Sequence, residues 1–313
     1  MPEDWLVVAL RFALYLDLMV LFGVALFCVN AGIHAMRPDE GTSTVARRYI
    51  QIIGIAAVLG IGLSLASMVV MAKAMTGASE YAELTTHVFG MIMTGTSVGL
   101  AWMVRVAVLL AALACLAVLG NRPALRFGMA SALGAVALAT IAWAGHGVMD
   151  DGTRGALHLL VDIAHLVAAG AWVGALVAFV VLATKARAFS PEAADLLGRT
   201  SNGFARIGTV IVATLVVTGG VNYVLIVGPT VDGLVTTAYG RLLLAKLALF
   251  VLMLALAAAN RYRLSPRLER ALKDGDPIEA VLALRRSLMT EATLAVVILV
   301  LVAWLGVLSP AGA

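Results

Sequence analysis

Three polar residues interrupt a long apolar run in "ALHLLVDIAHLVAAGAW" (156–172): His158, Asp162 and His165. On a helix turning by about 100° per residue they fall within about 60° of arc and form one stripe, which Trp172 continues. His158 and Asp162 are spaced i,i+4, and Asp162 and His165 i,i+3, so either pair can share a ligand. The two histidines cannot. Seven residues amount to about 10 Å of rise, whereas a metal takes each nitrogen at about 2 Å. The stripe is therefore two stations, or one station with Asp162 as an orienting partner that fixes an imidazole and raises its basicity. The alternative is structural: all three hydrogen-bond across helices, as intramembrane polar groups do in any helix bundle.

Two further segments carry metal-ligating side chains. "SEYAELTTHVFGMIMTGTS" (79–97) holds His87, Met91 and Met93 and is too polar at its start to span a membrane. It is expected as an outer-face loop or interfacial helix, where His87 and Met91 at i,i+4 share a face. Methionine there serves equally well as adaptable filler. "WAGHGVMDDGTRG" (143–155) sets His146 between glycines, with Met149 close behind, in the loop leading to His158. Imidazole and thioether together suit copper. The expected capture site is His87, His146 and His158 with Met91, Met93 or Met149; His165, oriented by Asp162, is the deeper station. Asp17 is a second intramembrane acid, either a relay or a partner of Arg11 or Asp162, and Arg105 and Lys246 are available counter-ions. Cys28 and Cys115 lie in separate apolar runs, so they imply no disulfide framework and act as soft ligands or as filler.

The elements that position these residues follow from composition. The chain has 313 residues, 62% hydrophobic and 13% charged, with mean hydropathy +1.01, which excludes an ordinary soluble domain. Apolar runs long enough for a hydrocarbon core of about 30 Å recur along it, without the alternation of barrel strands. The expectation is an all-α polytopic membrane protein with eight transmembrane helices near 5–33, 48–73, 95–119, 127–145, 156–184, 204–228, 240–262 and 287–308. The start "MPEDWLVVAL" carries Glu3 and Asp4 in place of a basic segment, so the first run is kept as a helix. Loops on one side collect Arg47, Arg48, Arg122, Arg126, Arg199, Arg261, Arg263 and Arg267, against Lys73, Arg154 and Arg241 on the other. The basic side is expected to be cytoplasmic, which places both termini, four of the five histidines and the methionines of 71–93 on the periplasmic side. The basic residues sit in short loops, so the net charge of +4 does not indicate nucleic acid.

A faint 4+4 parallel repeat divides the chain into halves 1–145 and 146–313. "TSVGLAWMVRVAVLL" (96–110) aligns without gaps on "TAYGRLLLAKLALFV" (237–251), pairing Thr96 with Thr237, Gly99 with Gly240 and Arg105 with Lys246. "AWAG" (142–145) resembles "AWLG" (303–306), and aligning Gly23 with Gly174 sets His165 against Leu14. The histidines of the stripe thus belong to one half. Transporters often place substrate between such halves.

"DIAHLVAAGAWVGALVAF" (162–179) resembles the His-x6-Trp-x-Gly signature of the copper resistance protein D (CopD) family, filled by His165, Trp172 and Gly174. The blocks at 201–225 and 237–264 resemble that family's C-terminal half, with Gly219, Gly220, Gly240, Lys246 and Asn260 in order. The resemblance implies an inner-membrane copper protein moving copper between periplasm and cytoplasm, beside a separate periplasmic CopC-like partner. It also implies a functional role for His165, with Trp172 and Gly174 as packing partners.

The expected function is therefore copper binding and transport, with no enzymatic activity; methionines at the mouth favour Cu(I) over Cu(II). One alternative is a protein that binds copper for delivery or sensing without transporting it. Another is a haem b or quinone redox protein, which commonly needs axial histidines on different helices at similar depth. No nucleotide-binding motif is present to drive a pump.

Overall fold

The computed structural model describes residues 2–33, 40–144, 152–187, 191–228 and 232–308. Among them the chain is all helical, and eight helical segments are long and apolar enough to cross a membrane. The first four are α1 (Pro2–Asn30), α2 (Glu40–Thr76), α4 (Ser97–Val118) and α5 (Pro123–Ala139), the last extended by a 3-10 turn to Ala144. The other four are α6 (Gly152–Arg187), α7 (Pro191–Ile226), α9 (Ala238–Ala259) and α11 (Ile278–Leu305). Short helices α3 (Thr86–Gly95) and α8 (Asp232–Thr236) precede α4 and α9. A π turn at Asn260–Leu264 carries α9 into α10 (Ser265–Asp274). That wide turn falls just before Pro266, which has no N–H to give back along the helix.

The eight expected spans match these segments, but several helices overrun their apolar runs on the basic side. α7 starts at Pro191 and α11 at Ile278. Their extra turns are rich in Ala, Leu, Glu and Arg, good helix formers that hydropathy does not register.

α1 and α6 form the centre, packed on each other; α1 also packs on α2 and α5, and α6 on α7 and α11. Their crossing depends on glycine. A Cβ on Gly23 would stand 2.1 Å from the Gly170 carbonyl oxygen, and one on Gly174 would stand 2.3 Å from the Gly23 backbone. Gly170 and Gly174, four apart, thus bring the two backbones together as small residues do in membrane helix pairs. Below the crossing, Phe179 meets Phe27 and Phe204 edge-on at 4.9 and 5.4 Å, and Tyr49 donates to the Ala178 carbonyl at 2.9 Å. Trp5 meets Trp304 at 5.5 Å, so the start of α1 and the end of α11 share one face of the bundle. Ile55, Val58 and Leu59 on α2, Val216 and Val217 on α7 and Val251 on α9 are exposed, as a lipid-facing surface requires.

Candidate functional site

The stripe of α6 opens onto a cleft of about 180 Å³ between α7 and α9, closed behind by α1 and α11. Asp162, His165, Asn222, Tyr239 and Lys246 line it. α7 supplies partners for both α6 residues: Asn222 Nδ2 donates to Asp162 Oδ1 at 2.7 Å, and Thr218 Oγ1 lies 2.8 Å from His165 Nδ1.

The direction of that last bond follows from proton counting. Thr218 spends its single hydroxyl proton on a backbone carbonyl, Thr214 at 2.6 Å. Toward the ring it can only accept, so Nδ1 carries the hydrogen. In the neutral imidazole, the lone pair then sits on Nε2, the arrangement of a metal-ligating histidine whose other nitrogen is tied down. Asn222 Oδ1 is buried and has no hydrogen-bond partner among the described residues. Lys246 lies within electrostatic reach of both Asp162 and His165.

His158 is only 1% exposed, and its Nε2 stands 4.0 Å from Asp162 Oδ2. The stripe reading made Asp162 the orienting partner of His165; for Nδ1 that partner is Thr218, because one turn of α7 faces the ring directly. His87 and Met91 are exposed on α3, a ten-residue helix packed on α2 and α4. Met93 turns into a small apolar cluster with Met68, Ala72 and Ile92. Among the described residues no three His, Cys, Asp or Glu side chains gather as a metal site, so His87 does not join His158 and Asp162. His146 and Met149 lie outside the described residues.

Asp17 does not line the cleft. Its Oδ2 is buried without a hydrogen-bond partner among the described residues, close to Gly60 of α2. Arg11 donates instead to the Gly306 and Ala144 carbonyls at 2.8 and 3.1 Å, helix-end acceptors that no N–H within the helix satisfies. Arg105 is bound by Thr140, Nε to Oγ1 at 2.7 Å and Nη2 to the carbonyl at 3.3 Å.

Trp172 does more than pack. Its Nε1 donates to Glu291 Oε1 at 2.8 Å, and Asn260 Nδ2 donates to Glu291 Oε2 at 2.9 Å. This buried trio lines a second cleft, of about 290 Å³, further along the gap between α7 and α9. Trp172 was singled out from the sequence; Thr218, Asn222, Asn260 and Glu291 were not singled out as site residues. The one available signal was the polar pair Thr218 and Asn222 at i,i+4 within an apolar run, which places both on one face of α7.

Residues 1–156 match the family described as copper resistance protein D-like, N-terminal domain, and residues 198–305 match copper resistance protein D. Copper resistance protein D of Pseudomonas syringae pv. tomato is 47% identical over 308 residues, covering 98% of each chain. Inner membrane protein YebZ of Escherichia coli (strain K12) is 28% identical over 268 residues, 84% of this chain and 86% of that protein. No solved structure matches the chain.

Proposed function

The chain belongs to the copper resistance protein D family, and we propose that it moves copper across the bacterial inner membrane through the cleft beside His165. The observation that carries this reading is the Thr214–Thr218–His165 chain of bonds, which presents Nε2 as a ready ligand beside a carboxylate. Asp162 supplies the negative charge, and the unpartnered Asn222 oxygen lines the same space. These donors are nitrogen and oxygen; the exposed thioether of Met91 lies on α3 one turn from His87, and the two would act as an outer capture point. The basic loops of this chain support a cleft that opens toward the periplasm, with both termini outward. There a separate CopC-like protein would deliver the ion.

We also infer a 4+4 parallel repeat. Gly23 and Gly174, equivalent in that alignment, touch one another at the centre, as equivalent residues do at a two-fold axis. Thr96 and Thr237 cap α4 and α9 in the same way.

The test is copper affinity and stoichiometry of the purified protein, together with copper flux into proteoliposomes. Thr218→Val removes the acceptor that sets the tautomer and should weaken binding by roughly 10–100-fold, the usual cost of losing such a partner. Unchanged affinity in that variant overturns the site. Binding without flux in the wild type overturns transport and leaves delivery or sensing.

A further inference from the structure

The signature spacing His165-x6-Trp172 joins two clefts. Seven residues carry α6 about 10 Å along its axis on nearly the same face, from the cleft of His165 to the cleft of Glu291. Between them the Trp172 ring meets Phe250 edge-on at 6.0 Å. Phe250 falls on α9 between Lys246, which lines the first cleft, and Leu254, which lines the second.

We propose that Glu291, with Asn260 and Trp172, is a binding site for a small monovalent cation, a proton or sodium, whose movement is coupled to that of copper. The coupling rests on the transport reading above; the cation site does not.

Glu291 is 3% exposed, and a carboxylate so placed needs neutralisation or several donors. It has one N–H on each oxygen, which leaves its remaining lone pairs facing the cleft. Asn260 is 9% exposed, and its Oδ1 is buried with no hydrogen-bond partner among the described residues. The wall therefore offers a carboxylate with spare lone pairs and an amide oxygen without a partner among the described residues, and calls for a positive species. A proton on Glu291 makes an O–H that the Asn260 amide can accept after turning its oxygen inward. Sodium would take both oxygens, with the Ser201 and Ser265 hydroxyls on the same wall. Among the described residues no imidazole, thiol or thioether lines this cleft, so its donors do not suit Cu(I). The other charged or titratable groups lining it are Arg261 and Tyr262. Arg261 is already engaged, donating to Thr209 Oγ1 at 2.7 Å and the Ala205 carbonyl at 3.3 Å and lying over the Tyr262 ring. The π turn that presents Asn260 is a distortion common at functional sites.

Trp172 reports on this site directly, because its indole N–H is bound to Glu291. The full-length protein in nanodiscs is titrated first with acid, then at fixed pH with sodium chloride against choline chloride. The tryptophan fluorescence of a Trp172→Phe variant is subtracted throughout. The Trp172 component should respond to one of the two cations and be flat in Glu291→Gln. Asn260→Ala loses a donor and an oxygen, so it should shift a proton response to about tenfold lower proton concentration, or a sodium response to about tenfold higher sodium. A wild-type Trp172 signal flat to both cations overturns the proposal. So does a response that survives in Glu291→Gln; if that variant fails to fold, an unshifted Asn260→Ala response decides the same way. No copper is present, so failure of the copper reading shows separately, as a wild-type protein that binds none. In proteoliposomes, wild-type copper uptake should move protons or sodium; uptake without either overturns the coupling.

Discussion

Thr96 caps α4 by accepting from the Gly99 amide while donating to the Ile92 carbonyl, and Thr237 caps α9 by accepting from Gly240 while donating to Gly233. In both turns a Cβ on the capped glycine would strike the preceding short helix, at 2.1 Å for Gly99 and 2.2 Å for Gly240. Nine residues on, the two aligned segments differ. Arg105 is buried and bound by Thr140, and α4 packs directly on α2. Lys246 instead faces Asp162 and His165 across a cleft, and two clefts lie between α7 and α9. One backbone frame has been closed with internal bonds and the other held open around polar side chains. The proposed copper site uses the second; the first is the scaffold against which α6 is braced.

The sharpest way to break this contrast is to exchange its roles. His165→Ala should weaken copper by more than about 100-fold, since removing a ligand costs more than removing the partner that orients it. Its alignment mate Leu14 sits in the core. Leu14→Ala should lower stability by about 2–5 kcal/mol and leave copper affinity within a few-fold. Equilibrium dialysis and unfolding in mixed micelles measure the two. Copper loss in Leu14→Ala would mean that both halves bind.

The next pair is cationic. Arg105→Met strips Thr140 of its charged donor and should cost about 2 kcal/mol of stability, with no change in copper affinity. Lys246→Met removes a positive charge from beside the proposed ligands. It should tighten copper on the order of tenfold, read by competition with a chelator. Weaker copper in Lys246→Met would make that lysine a support for Asp162 instead of an electrostatic brake.

Much of this contrast was legible in the residues themselves. Apolar runs located all eight spans, the 3.6-residue period aligned Asp162 with His165, and the need of buried acids for a counter-ion brought in Lys246, which shares the cleft with Asp162, along with Arg105, which does not. The partners that decide the chemistry were not. Thr218 and Asn222 meet α6 only because α7 is rotated that way about its axis, which no local pattern encodes. Glu291 and Trp172 are 119 positions apart. Arg11 was one of the partners open to Asp17 by opposite charge, Asp162 being the other. Arg11 is taken by carbonyls at the ends of neighbouring helices, because six residues set it about 9 Å along α1 from Asp17 and about 120° around it.

The smallest predicted effect tests whether the two frames are equivalent before they diverge. Thr96→Ala and Thr237→Ala each remove one cap bond to an amide and one bond to a preceding carbonyl. An N-cap threonine is worth about 1 kcal/mol, and the two losses should agree within about 0.5 kcal/mol in reversible unfolding. Since the turns stand on different helices and share no partner, the double variant should lose the sum. Copper is the discriminating readout. Thr237→Ala loosens the helix that presents Lys246 and should alter copper affinity a few-fold, whereas Thr96→Ala should leave it unchanged. Equal copper effects from both turns would show that the closed half takes part in binding, and the division between scaffold and cleft would fail.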